Sequence, residues 1–235
     1  MALNSNLSNT YNFDPNLGEI VIGALARCGI RRSEITQQHL ADARFESNLV
    51  QSEMAGEGVN LWQVELHVEP LLAGVSTYNV PDTTVFVLDV YIRQNPGSGM
   101  PIDRLIMPIS RSDWAATANK TMPGFPTSYW WNQQLQPTIT LWPVPQQDGG
   151  ELRYYRQTRA MDANLINGEQ PQIPFAAYDY FTASLAVRLA VIYAPDRLAM
   201  LQPLKQQAYM KYLQASTEST PITMNIEMRS YFRVG

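Results

Sequence analysis

Charge is what this chain most lacks. Only 16% of its 235 residues are Asp, Glu, Lys or Arg, against roughly 25% in ordinary soluble domains. The net charge of −4 argues against a protein that grips nucleic acid through clustered Lys and Arg. One cysteine, Cys28, excludes an intrachain disulfide and fits a reducing compartment. The two histidines, His39 and His67, have no second His or Cys at ligand spacing, so no metal site is expected. No phosphate-cradling Gly-x-x-x-x-Gly-Lys occurs, and Gly97-Ser-Gly99 is too short to stand in for it. No apolar run approaches the roughly 18 residues of a membrane span. The start MALNSNLSNTYNF is polar and lacks the order of a signal peptide. The expectation is a protein made in a cytoplasm, with no membrane and no cofactor.

A second scarcity is local. From Thr121 to Gln147 there is no charged residue, yet this run holds Trp130, Trp131 and Trp142, three of the five tryptophans. Phe125, Tyr129 and five prolines accompany them. Catalysis needs acids, bases or nucleophiles with tuned pKa values. Aromatic faces, amides and stiff backbone suit packing against protein. A chain with 45% hydrophobic residues can build a core, and a surface poor in charge is often one that something covers.

Periodicity then sets the layout. Asp14 can cap a helix with Pro15 in its first turn. Leu17, Ile20, Val21, Ala24, Leu25 and Cys28 follow at helical spacing. Cys28 on that face reads as a buried structural thiol. Gly29 can end the helix in a left-handed cap, with Ile30 folding back. Thr36 can cap a second helix running to about Ala55, with Ile35 and Leu40 as a staple. The two should form an antiparallel hairpin. From Leu61 the period becomes two, and LWQVELHVEP reads as a half-buried strand. Further strands are expected at 77–81, 85–93, 105–109, 138–142 and 152–157, with one helical turn within 112–119. The run 121–147 is expected to be a fixed loop leading into the strand at Thr138, with Trp142 in the core. Helix returns after Pro174, and Pro203 either kinks or reopens the last helix. The tail alternates Ile222, Met224, Ile226 and Met228 against polar residues, a strand pattern with no adjacent partner.

The expected fold is α+β. Residues 1–58 and 165–215 form a helical bundle from the two ends of the chain. An antiparallel β-sandwich-like domain, 59–164, is inserted between them, and 216–235 form an extended tail.

Several pieces in this order resemble a known family. They are the Cys28, Gly29, Ile30 turn, the capping Thr36, YNVP at 78–81, PIS at 108–110, and GFP at 124–126 with its aromatic cluster. PTITLWPVP at 137–145, LRYYR at 152–156 and the Ala-rich helix after Pro174 complete the set. Over Leu17 to Ala215 the chain resembles the head-to-tail adaptors of short-tailed bacteriophages, the tail tubular protein A or head-completion proteins. That resemblance implies a virion protein at the head–tail junction, assembled in the host cytoplasm. It implies a homo-oligomeric ring, usually a dodecamer, joining the portal to the tail nozzle, with the tail fibre as a further candidate partner. DNA would pass through the lumen without specific binding.

Candidate interface residues follow from their types. Tyr129, Trp130 and Trp131 cannot all point inward from one strand, so they are expected to meet a neighbouring subunit or the nozzle. Arg153, Arg156 and Arg159, set among Tyr154 and Tyr155, are expected to pair with a neighbour's acids. Ile222, Met224, Ile226, Met228, Tyr231 and Phe232 are expected to dock on the portal as an added strand; the rival is a tail folded back on its own β-domain. Two other functions stay open: a β-sandwich ligand-binding module, and a cell-wall hydrolase using paired carboxylates such as Glu65 with Glu69 or Asp148 with Glu151. No catalytic residue is expected otherwise.

Overall fold

The computed structural model describes residues 13–58, 60–165 and 169–216. The tail residues Ile222, Met224, Ile226, Met228, Tyr231 and Phe232 lie outside them.

Helix α1 spans Leu17–Arg27. Its cap is Asn16 and not Asp14. The Asn16 side chain accepts from the Glu19 amide, and Glu19 accepts from the Asn16 amide, so two orphan donors are satisfied reciprocally. Asp14 accepts from the Tyr178 hydroxyl instead. The helix ends as expected. Gly29 has φ +86°, its N–H donates to the Ala26 carbonyl, and the Ile30 N–H donates to that of Leu25. The Arg197 guanidinium lies only 2.5 Å from where a Cβ on Gly29 would sit. Gly29→Ala is therefore expected to cost about 1–2 kcal/mol through the left-handed backbone, and more through displacing Arg197. Calorimetry should record a lower Tm, and an unchanged Tm would contradict this cap.

Helix α2, Gln37–Gly56, is capped by Thr36, with the His39 ring accepting from the Thr36 N–H. The expected α1–α2 hairpin does not form. Both pack chiefly on α4, Tyr178–Tyr193, as does α5, Leu198–Ser216, with Pro203 inside it. Ala183, Ser184, Ala186 and Ala190 of α4 are all buried, and small side chains let neighbouring helices approach closely. This also corrects the expectation about apolar length. Phe175–Tyr193 is long and apolar enough to cross a membrane, but 61% of that window is buried inside the protein, as for a core helix.

Arg188 of α4 reaches Glu46 (3.1 Å) and Glu53 (3.0 Å) of α2, while Lys205 of α5 reaches Glu53 at 2.6 Å. Burial pushes the Glu53 carboxyl up, but its bonds and charge attraction to Lys205 and Arg188 outweigh that and hold it below the usual glutamate range. A depressed acid stabilises the fold above its unfolded pKa, and that contribution is lost as pH falls through the folded value.

The β region holds two sheets. The long sheet orders β1 (Val64–Leu71), β10 (Gly150–Thr158), β3 (Thr84–Gln94) and β4 (Ile102–Leu105), all antiparallel. The short sheet orders β2 (Thr77–Asn79), β8 (Thr138–Trp142), β7 (Ser128–Asn132) and β5 (Met107–Pro108). Two short pairs are parallel and not antiparallel: β5 with β7, and β6 (Pro123–Gly124) with β9 (Val144–Pro145). Leu71, Val90, Ile92, Leu152 and Tyr154 of the long sheet pack on Tyr78, Tyr129, Ile139 and Leu141 of the short one, as in a sandwich. The chain crosses between sheets at the buried Ile106.

A buried polar joint connects this sandwich to the helices. Asn60 donates from its side chain to the Met54 carbonyl (3.4 Å) and to Gln63 Oε1 (3.2 Å), and its backbone N–H donates to Gln157 Oε1 (3.2 Å). The Tyr212 hydroxyl of α5 donates to Asn60 Oδ1, and Trp62 meets the Tyr212 ring edge-on.

Candidate functional site

The uncharged aromatic run is not a loop. Ser128–Asn132 forms β7, and alternation along it separates the three aromatics. Tyr129 is 6% exposed and belongs to the core between the sheets. Its hydroxyl donates to the Leu88 carbonyl at 3.4 Å. Trp131 packs against the same core and stays half-buried. Trp130 points to the outer side of the short sheet, where helix α3, Arg111–Ala116, covers it. Trp114 of α3 stacks on Trp130, ring centroids 6.0 Å apart and 17° from parallel. Lys120 sits over Trp114 at 5.6 Å. Trp142 is half-buried, not fully in the core, and its Nε1–H donates to the Asn119 carbonyl at 2.9 Å. The chain's own segment from Ser110 to Thr121 thus packs over Trp130 and Trp142.

The arginines do not form one patch. Arg153 faces out from the long sheet and pairs with Glu151 at 2.6 Å. Arg156 is 8% exposed; it donates to Thr83 and Thr84 (3.0 and 2.8 Å) and pairs with Glu65. Arg159 is exposed just past the end of β10. Alternation sends Arg153 and Arg156 to opposite faces.

The carboxylate pairs are committed elsewhere. Glu65 holds Arg156, Glu69 meets His67 at 3.0 Å, Asp148 accepts from the Ala73 N–H at 2.7 Å and Glu151 holds Arg153. Four residues of strand put the backbones of Glu65 and Glu69 about 13 Å apart. Among the described residues, no cluster of His, Cys, Asp or Glu is built to hold a metal ion. Cys28 is buried, donates to the Ala186 carbonyl at 3.3 Å, and has its thiol pKa pushed up by burial. A cleft of about 280 Å³ lies beside Arg104, Phe125 and Asp148.

The exceptional surface is the outer face of the long sheet. The expected strand 61–70 begins only at Val64, and its apolar side turns away from the core. His67 lies against the buried Tyr154 ring, centroids 5.0 Å apart, and Leu71 is buried on that same side. Leu66 and Val68 face outward, 39% and 42% exposed. Register extends this side across the sheet: Leu66 opposes Tyr155, Val68 opposes Arg153, Arg153 opposes Tyr91, and Tyr91 opposes Leu105. Opposed residues share a face. Tyr155 is 40% and Leu105 64% exposed. Arg93 bridges Asp103 at 2.6 Å at one side of the patch, and its hydrogen bond holds the Asp103 carboxyl below the usual range. The result is a face of apolar and aromatic side chains with the Arg153–Glu151 pair within it and the Arg93–Asp103 pair at its side, a mix found at protein interfaces.

Sequence reasoning could have found this surface only by asking which side of LWQVELHVEP the rest of the fold leaves bare. No curated protein matches the chain. The family model for the SU10 adaptor protein matches residues 15–225. That span takes in both the helical layer and the sandwich. The chain therefore belongs to the SU10 adaptor protein family of phage head–tail adaptors and is a structural adaptor protein.

Proposed function

We propose that this adaptor closes into a ring of identical subunits at the head–tail junction, between the portal and the tail nozzle, with DNA passing through its lumen. The observation that carries the reading is the bare outer face of the long sheet, where Leu66, Val68, Tyr155 and Leu105 meet solvent. Monomeric proteins seldom leave large apolar patches open. Ring contacts are heterologous, so a different surface must meet this one. The helical layer offers exposed pairs at helical spacing, Phe45 with Leu49 on α2 and Met200 with Leu204 on α5. The acidic balance of the chain suits a conduit through which duplex slides without binding.

In this reading the tail, Ile222 to Phe232, makes the portal contact, and 1–58 with 165–215 act as one helical unit carrying the 59–164 insertion. Light scattering and negative-stain imaging, with and without portal, test the ring. A subunit that stays monomeric in the presence of portal contradicts it. Removing residues after Thr220 is expected to weaken portal attachment at least tenfold, and unchanged affinity would exclude the tail from that contact.

A further inference from the structure

Strand β3 is paired along its whole length on one side only. On the other side β4 pairs with Tyr91–Gln94, and the Ile106 N–H donates to the Val90 carbonyl at 3.0 Å. There the chain leaves for the short sheet. Among the described residues, no strand pairs with Thr84–Asp89 on that side. Beside this edge opens a groove of about 560 Å³, bounded by Val87, Leu88, Leu105, Met107, Ile109 and Trp131. Asp89 is its one charged lining residue. An unpaired edge beside an apolar groove is the receptor half of strand addition: the edge offers backbone bonds, and the groove takes alternate side chains.

We infer that this groove receives the chain's own C-terminal segment Ile222–Met228, added to β3 as an extra strand. Three observations favour this occupant. Ile222, Met224, Ile226 and Met228 alternate with polar residues, so a strand here puts all four on one side. The described chain ends at Ser216 of α5, four residues past Tyr212, which ties α5 to the sandwich. Tyr212 bonds Asn60, Asn60 bonds Gln157, and Gln157 pairs with Phe86 of β3. Five residues, 217–221, span up to about 17 Å when extended. The segment brings no lysine and a single acid, Glu227, so little charge is desolvated on docking.

The inference deepens the tail's proposed role by giving it a holding place on the free subunit, from which it transfers to the portal. It is tested without portal. Hydrogen–deuterium exchange of the full chain, at concentrations where light scattering reports monomer, should show amides 222–228 slowed at least tenfold relative to an unstructured peptide of that sequence. Met107→Glu in the groove and Ile226→Asp in the tail should each remove that slowing. Truncation after Thr220 should speed exchange at 86–89. Exchange of 222–228 at peptide rates overturns the inference, as does protection that arises only when subunits associate, since the occupant is then a second copy. Loss of portal affinity on truncation with no protection in the monomer would leave the portal reading standing and remove this one.

Discussion

Lysine at both Leu66 and Tyr155 is expected to abolish self-association while leaving the subunit folded. The two residues oppose each other across β1 and β10 on the bare face of the long sheet, 39% and 40% exposed. Buried aromatic and apolar anchors at interface centres cost about 2 kcal/mol or more each when lost, and each ~1.4 kcal/mol is tenfold in affinity. Two adjacent sites with introduced charge should weaken association at least about 100-fold. Neither side chain packs into the sandwich core, so Tm should move by no more than the few degrees that about 1 kcal/mol represents. Trp130→Ala should do the opposite, because Trp130 lies under α3 against Trp114: a lower Tm with assembly kept. Sedimentation velocity and calorimetry on the two variants separate the cases. Undiminished association in the double-lysine variant would remove this face from the ring contact.

Asn60→Ala is expected to be among the most destabilising single changes in the protein. Asn60 is 2% exposed and holds together the end of α2, the Gln63 turn and α5 through its side chain. Alanine leaves the Met54 carbonyl, Gln63 Oε1 and the Tyr212 hydroxyl without this partner in a buried site. An unsatisfied buried group costs about 1–3 kcal/mol, so a loss of roughly 3 kcal/mol or more is expected. For a chain of this size that is a Tm drop of about 6–12 °C. Chemical denaturation should give the same free energy with an unchanged m-value. A drop of under about 2 °C would mean that the helices and sandwich are held together elsewhere.

Much of the architecture was legible locally. Gly29 as a left-handed terminator, Thr36 as a cap and strands starting near Thr138 and Leu152 are legible from residue types, because caps and turns depend on neighbours within a few positions. The first cap was misplaced by two residues because Asp14 and Asn16 are both competent acceptors. What chose between them was Glu19, placed to complete the box with Asn16, and Tyr178, which engages Asp14. The site was less legible. The three consecutive aromatics and three spaced arginines looked like clusters in one dimension, and strand alternation divided both.

By itself the sequence determined the long helices and the longer strands, the two end helical segments around a β region, and the absence of clustered charge. These rest on local propensity and period, which a short window contains. Only the tertiary structure decided which side of each strand is inside. Alternation is unchanged when the two faces of a strand are exchanged, so the apolar side of LWQVELHVEP could be core or interface until its partners were in place. Pairing with β10 commits Glu65 to Arg156 and sets His67 against Tyr154, which turns Leu66 and Val68 outward. The packing of α3 over Trp130 likewise covers that tryptophan of the short sheet.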